Sequence, residues 1–291
     1  MESFNSNMDN LKLYNECNLR ISTSFRSNFN DPDTNCIIDF TQNRNINNVV
    51  KLNLNYVNIC NNFYNVASYN NTFYLLVSSG AGNTVNKITV PPGYYEVSAL
   101  CTLLQSLCVP FAPSLTITYS SALKRIVFNT GVAGTTILLN PDTLRPNFNY
   151  LGNNFLYTIG SSVDGGGYSA TNVDSPLPYP PSLFGATSVY IFSNKLVSAR
   201  SILNVLLPAD NEINRDLQSQ NGSEIMALGI TSPWGTYQTY YDNNSKRGMF
   251  VLSQGLTLDT VDMRVVDQFG NVLENGTNNT PIFYSFKVCY Q

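Results

Sequence analysis

Across residues 49–60 apolar and polar side chains alternate: Leu52, Leu54 and Tyr56 fall on one side of an extended chain, Lys51, Asn53 and Asn55 on the other. That period predicts a strand with one face on a core and the other on water or a neighbour. Similar short runs of β-branched and aromatic residues, bounded by Asn, Gly, Pro and Ser, predict strands at residues 19–26, 36–40 and 72–78. Further along they predict strands at 85–90, 187–192, 199–207, 224–229, 237–241, 248–253, 260–266 and 282–290. Asp267, Gly270 and Asn271, which tolerate positive φ, predict a hairpin between the last two.

One segment has a different period. Val97, Leu100, Cys101, Leu104, Leu107 and Cys108 repeat at the helical spacing, and Pro110 stops the pattern, so a helix is expected over 97–108. Its apolar stripe needs a partner. The following hairpin offers one, with Leu115, Ile117 and Tyr119 on one arm, Ile126 and Phe128 on the other, and 120–122 at the turn. Residues 152–181 are rich in Gly, Ser, Asn and Pro and predict a long surface loop. The expected fold is all-β, mainly antiparallel: a single eight-stranded jelly roll from 17–79 and 187–291, interrupted by a small α+β domain over 80–186, with 1–16 as a flexible arm. Gly80 and Gly82 read as a hinge between the two, since no Lys follows them and a phosphate cradle is excluded.

Composition narrows the chemistry. With 291 residues, 43% of them hydrophobic, the chain can bury a substantial core. Charged residues are only 12%, and 40 asparagines carry the polar surface instead. A charge-poor surface suits close packing against neighbours; A/T-rich coding explains the same composition, and the two are compatible. Histidine is absent, which removes the commonest general base and zinc ligand and disfavours an enzyme. A net charge of −3 without a basic cluster gives no footprint for nucleic acid. No apolar run is long enough for a membrane span, and the polar first 16 residues lack the apolar stretch of a secretory leader. Cys17, Cys36, Cys60, Cys101, Cys108 and Cys289 show no C-x-x-C pair and are expected to be free thiols.

Two stretches carry a family resemblance. Lys87-Ile-Thr-Val-Pro-Pro-Gly-Tyr-Tyr-Glu-Val-Ser-Ala-Leu-Cys-Thr-Leu-Leu, with its hairpin and Tyr150-Leu-Gly, resembles the I-x-I-P-x-G-x-Y module of capsid proteins in large DNA viruses and virophages. Leu258-Asp-Thr-Val-Asp-Met-Arg-Val-Val-Asp-Gln-Phe-Gly-Asn-Val-Leu, closing on 283–290, is similar to the terminal hairpin of penton (minor capsid) proteins in the virophage, Maverick/Polinton and adenovirus-like lineage. The resemblance implies a jelly-roll penton subunit without enzymatic activity. It implies a homo-pentamer at the five-fold vertices of an icosahedral virion assembled in the host cytoplasm, touching trimers of the viral major capsid protein, with the inserted domain on the outside. No fibre-binding or integrin-type motif accompanies it. A jelly-roll carbohydrate- or receptor-binding module, of lectin or trimeric-ligand type, is the alternative.

No catalytic, cofactor or metal site is assigned. Asp31, Asp33 and Asp39, or Asp259 and Asp262, are the only acidic groupings, and each offers fewer oxygens than Ca²⁺ requires. Trp234 with Tyr237, Tyr240 and Tyr241 forms an aromatic group suited to an interface or a sugar platform, or to plain loop packing. Gly165, Gly166 and Gly167 read as a flexible loop, with a processing site as the alternative.

Overall fold

The computed structural model describes residues 15–39, 46–80, 82–139, 155–161, 168–171, 173–183, 185–198, 224–241, 249–276 and 280–291. The expected strand at 199–207, the Gly165–Gly167 loop and residues 1–14 of the expected arm lie outside them. Asn15 and Glu16, assigned to that arm, already belong to the first strand. The chain divides into two compact units: Met1–Asn61 with Ser188–Val266 and Asn278–Gln291, and Asn62–Thr187 with Asp267–Thr277.

The first unit holds β1 (Asn15–Ser22), β2 (Asn35–Asp39), β3 (Ile46–Cys60), β11 (Ser188–Phe192), α3 (Asn194–Ser198), β12 (Glu224–Gly229), β13 (Tyr237–Tyr241), β14 (Met249–Leu258), β15 (Thr260–Asp267) and β16 (Phe283–Tyr290). Its strands form two antiparallel sheets. One runs β1-β16-β3, with β13 and β14 successive along the same edge of β3; the other runs β12-β11-β15-β2. With β13 and β14 counted as one position, the eight strands in chain order are B to I, and the sheets are B-I-D-G and C-H-E-F. That is the jelly-roll order, and the fold is a jelly roll. The core takes Leu52, Leu54, Val57, Phe286 and Val288 from one sheet and Ile38, Val189, Ile191, Val261 and Val265 from the other.

Two expectations about this unit are corrected. The hairpin between β15 and β16 does not form: β15 pairs with β2 and β11, while β16 pairs with β1 and β3. The turn chemistry is present, with the Gly270 N–H donating to the Asp267 carbonyl at φ +85°, but local turn residues do not dictate which sheet receives the next strand. In β3 the alternation breaks after Leu54. Ser285 lies opposite Tyr56 and Phe286 opposite Leu54, so Asn55 is the extra residue of a β-bulge. Val57 and Ile59 take the core side, and Tyr56 shares the outward face with its partners Ser285 and Tyr241.

The second unit contains β4 (Thr72–Ser79), β5 (Gly82–Thr89), α1 (Val97–Cys108), β6 (Thr116–Ser120), β7 (Arg125–Asn129), β8 (Thr136–Leu139), α2 (Phe155–Ile159), β9 (Tyr168–Ala170) and β10 (Ser175–Pro176). Its sheets are β5-β4-β8-β9 and β10-β7-β6. Thus β4, expected in the jelly roll, pairs instead with β5 and β8. Gly80 and Gly82 are no hinge: Ser79 pairs with Gly82 across a tight β4–β5 turn within this unit. The helix falls on its expected residues and buries Leu100, Cys101, Leu104 and Cys108, packing along β6. Gly152 to Pro181 is not merely a surface loop, because α2 buries Phe155, Leu156 and Ile159, and Leu177 joins the same core. Phe155 stacks on Phe73 of β4 at 5.3 Å.

Candidate interaction surface

The carboxylates do not gather. Asp33 is buried and accepts from Arg26 Nη1 at 2.8 Å and from Thr23 Oγ1 at 2.7 Å, whereas Asp31 is bonded to Asn28 and Asp39 ends β2 in the open. Asp259 pairs with Lys195. Asp262 accepts from Ser193 Oγ and from the backbone N–H groups of Asn194 and Lys195, which anchors the start of α3. Among the described residues no three Cys, Asp or Glu side chains stand together as metal ligands. All six cysteines are free. Burial pushes the Cys36 thiol up to about 12, with Asp33 adding to the effect, and Cys101 to about 11, so both remain protonated and unreactive at neutral pH.

The aromatic group is split by the strand period. Tyr237 and Tyr241 share the outward face of β13, 49% and 65% exposed, while Tyr240 lies opposite the buried Val57. The outward rows of the first sheet run Arg20, Ser285, Tyr56, Tyr241 and then Ser22, Phe283, Asn58, Thr239. Arg20, Ser22, Tyr56, Tyr241, Phe283 and Ser285 of these rows, together with Phe25, which follows β1, line a groove of about 510 Å³. Tyr56 and Tyr241 meet edge to face at 4.9 Å. The rest of the wall is made of Asn18, Ile21, Asn55 and Tyr284, and Arg20 makes none of the ion pairs among the described residues. On the same sheet, the side-chain oxygens of Asn53, Asn55 and Asn58 are shut off from solvent and accept no hydrogen bond among the described residues. Phe25 is held out by a rigid base. The adjacent Thr23–Phe25 turn is tied down by the buried Arg26–Asp33 pair and by the Ile282 N–H donating to Thr23 Oγ1 at 2.9 Å.

Sequence reasoning picked out Tyr237 and Tyr241 but missed Tyr56, Phe283, Phe25 and Arg20. Phe283 was within reach, since the alternation along β16 sets it apart from the buried Tyr284 and Phe286. Tyr56 was not, because nothing in its own segment marks Asn55 as the bulged residue.

The second sheet's outer face differs. Along its β2 edge Asp39 stands beside Thr260, Ile37 beside Asp262 and Asn35 beside Arg264. A hollow of about 290 Å³ lies there, lined by Asp31, Pro32, Ile37, Phe192, Asp262 and Met263 among others. Arg264 lies over the Phe192 ring at 5.4 Å.

No protein-family model matches the chain, and no curated protein matches it. Among solved structures, the chain is similar to the mavirus penton protein at 14% identity, over 95% of this chain and 99% of that one, with a TM-score of 0.47. It is also similar to a chain of the Sputnik virophage, seen by cryo-electron microscopy, at 12% identity over 94% and 98% with a TM-score of 0.39.

Proposed function

We propose that this chain is a structural subunit of a viral capsid, of the penton type, and not an enzyme. Five copies close a ring at each five-fold vertex of an icosahedral shell, and the ring borders trimers of the major capsid protein. One observation carries this reading: a jelly roll in B-I-D-G and C-H-E-F order is interrupted between its third and fourth strands by a separate compact unit that contains the Pro91-Pro92-Gly93-Tyr94-Tyr95 stretch and its helix. The absence of histidine and the scattering of the carboxylates fit a protein that works by surface contact. A closed ring makes each subunit's two contacts reinforce one another, so each contact needs only modest affinity. The unit is released with the virion, having been assembled in the host cytoplasm.

Quantitative mass spectrometry and electron microscopy of purified particles test this. The expected result is five copies per vertex and five-fold density at the vertices. Absence from particles, or trimers of the purified chain that bind a glycan or receptor, overturns it in favour of the ligand-type module.

A further inference from the structure

We infer that the inserted unit carries a binding site for a single neutral sugar ring, in a cleft between residues 64–70, α2, residues 182–187 and the turn that follows β15. The site goes beyond the proposed capsid role and does not rest on it.

The cleft encloses about 180 Å³, and every residue that lines it belongs to this unit. At about 30 Å³ per water it holds roughly six waters, which is below the ~300–1,000 Å³ of sites for drug-sized ligands. It suits one ring rather than a chain. Its walls come from stretches far apart in sequence, and hydrogen bonds lock them together. Asn65 Nδ2 donates to the Leu183 carbonyl at 3.0 Å, Asn70 Nδ2 to Thr158 Oγ1 at 3.3 Å, the Ser182 N–H to the Thr158 carbonyl at 2.8 Å, and the Tyr69 hydroxyl to Asp267 Oδ2 at 3.3 Å. The cleft is therefore formed before a ligand arrives, which spares the cost of ordering it.

Charge excludes most other ligands. No Lys or Arg stands among the described residues that line the cleft, so a phosphate or carboxylate finds no counter-charge there. The one acid is Asp267, and its oxygens are already taken. Oδ1 accepts from the N–H groups of Phe269 and Asn271 at 2.8 and 2.9 Å, and Oδ2 accepts from Asn271 Nδ2 at 3.1 Å and from Tyr69. Those donors fill the roughly four acceptor positions of a carboxylate, which leaves none for a cation.

Rings and hydroxyls remain. Tyr64 and Tyr157 are half-buried and Ser182 and Thr187 exposed, and the hydroxyls of all four make no hydrogen bond among the described residues. Each can both donate and accept. With Tyr69 and Phe269 the two tyrosines also supply four aromatic rings. A saccharide has the matching pair of properties: a C–H face for the rings and neutral hydroxyls for the hydroxyls. An apolar ligand of the same size would strip water from these groups and give nothing back. The sugar is either free or the terminal residue of a glycan.

Titration of the full-length chain with glucose, galactose, mannose and N-acetylglucosamine, each also as its methyl glycoside, tests the site by saturation-transfer NMR. At least one is expected to bind, in the millimolar range. Tyr64→Phe with Tyr157→Phe keeps both rings and removes both hydroxyls; it is expected to weaken binding about tenfold with an unchanged thermal midpoint. Ser182→Trp, which fills the cleft from its exposed side, is expected to abolish binding, and Tyr179→Phe, outside the cleft, to leave it intact. Equal binding of a sugar and its glycoside supports the site with a glycan end as the source, and binding of the free sugar alone supports it with the free sugar as the source. The site is overturned if none of the sugars binds, if binding survives undiminished in both the double and the Trp variants, or if inorganic phosphate or sialic acid binds in preference. Sugar binding by a chain that never enters particles leaves the site standing and removes the capsid reading; five-fold vertices without sugar binding do the reverse.

Discussion

The two compact units fasten their irregular segments with different chemistry. In the jelly roll, the turn after β1 is held by a buried ion pair: Arg26 Nη1 donates to Asp33 Oδ1 and to the Thr23 carbonyl, and Nη2 reaches the Phe29 carbonyl at 3.4 Å. In the inserted unit, neutral amides take that part. Asn65 Nδ2 donates to the carbonyls of Tyr95 and Leu183 at 2.9 and 3.0 Å, and its Oδ1 accepts from the Tyr95 N–H at 2.9 Å. Asn70 and Asn71 are likewise buried and bonded to backbone, Asn70 Oδ1 accepting from the Ala67 N–H and Asn71 Nδ2 donating to the Val90 carbonyl. The asparagine-rich composition therefore builds more than a surface. An amide offers a donor and an acceptor without the desolvation cost of a charge, so it ties distant loops cheaply; an ion pair holds harder but fails badly when halved.

The largest expected effect follows from that asymmetry. Asp33→Ala strands a guanidinium and the Thr23 hydroxyl in the interior, and is expected to cost about 3–5 kcal/mol in urea unfolding. Replacing Arg26 and Asp33 together by Met and Leu removes the orphan and should recover much of the loss. If the double replacement is as damaging as the single, the pair's role is geometric rather than electrostatic.

Asn65→Ala in the inserted unit is expected to cost less, about 1–3 kcal/mol, because it leaves neutral backbone groups of Tyr95 and Leu183 unpaired. Hydrogen exchange should show faster opening around Tyr95. Equal losses at Asn65 and Asp33 would erase the distinction between the two fastening schemes.

How much of this was legible follows the range of each interaction. The helix over Val97–Cys108 was readable to the residue, because its stripe is written within one segment and Pro110 closes it. Strands β12 and β13 were equally readable from their own composition. What failed depended on partners far along the chain. The bulge at Asn55 exists only in register with Ser285 and Phe286, some 230 residues away. Thr72–Ser79 looks like any other strand, and only pairing with β5 and β8 assigns it to the inserted unit. The five residues of α2 are too few to show a period within a Gly- and Asn-rich stretch. The groove was hidden for the same reason: Arg20 and Tyr56 share a row only through Ser285 of β16, which lies between their strands.

A third substitution runs the other way. Tyr284 of β16 is fully buried between the jelly-roll sheets, its hydroxyl has no hydrogen-bond partner among the described residues, and burial drives its pKa well above the ordinary tyrosine value, with Cys36 and Asp33 adding to the rise. Tyr284→Phe removes an unsatisfied polar group at almost constant shape, and is expected to raise stability by about 1 kcal/mol. Thermal unfolding of the variant decides: a lower midpoint would mean that the hydroxyl is satisfied in the folded protein.

The smallest expected effect separates the units by pH. In the jelly roll the shifted carboxylates are Glu16 and Asp259, both lowered, chiefly by hydrogen bonds from Lys287 and Lys195. Their contribution is present above the usual carboxylate range and is lost as pH falls through it; being exposed, both pairs are screened and contribute little. In the inserted unit Asp267 is raised by burial, against hydrogen bonds from Asn271, Phe269 and Tyr69 that favour its charged form. Its contribution is therefore complete below the unfolded carboxylate value and declines as pH rises through the native one. Asp267→Asn should flatten the stability profile between the ordinary carboxylate range and neutrality, whereas Glu16→Gln should leave it nearly unchanged there and affect only the acid limb. Were the Asp267 variant to lose stability more steeply with rising pH than the parent, the hydrogen bonds would have outweighed burial and the sign assigned to Asp267 would reverse.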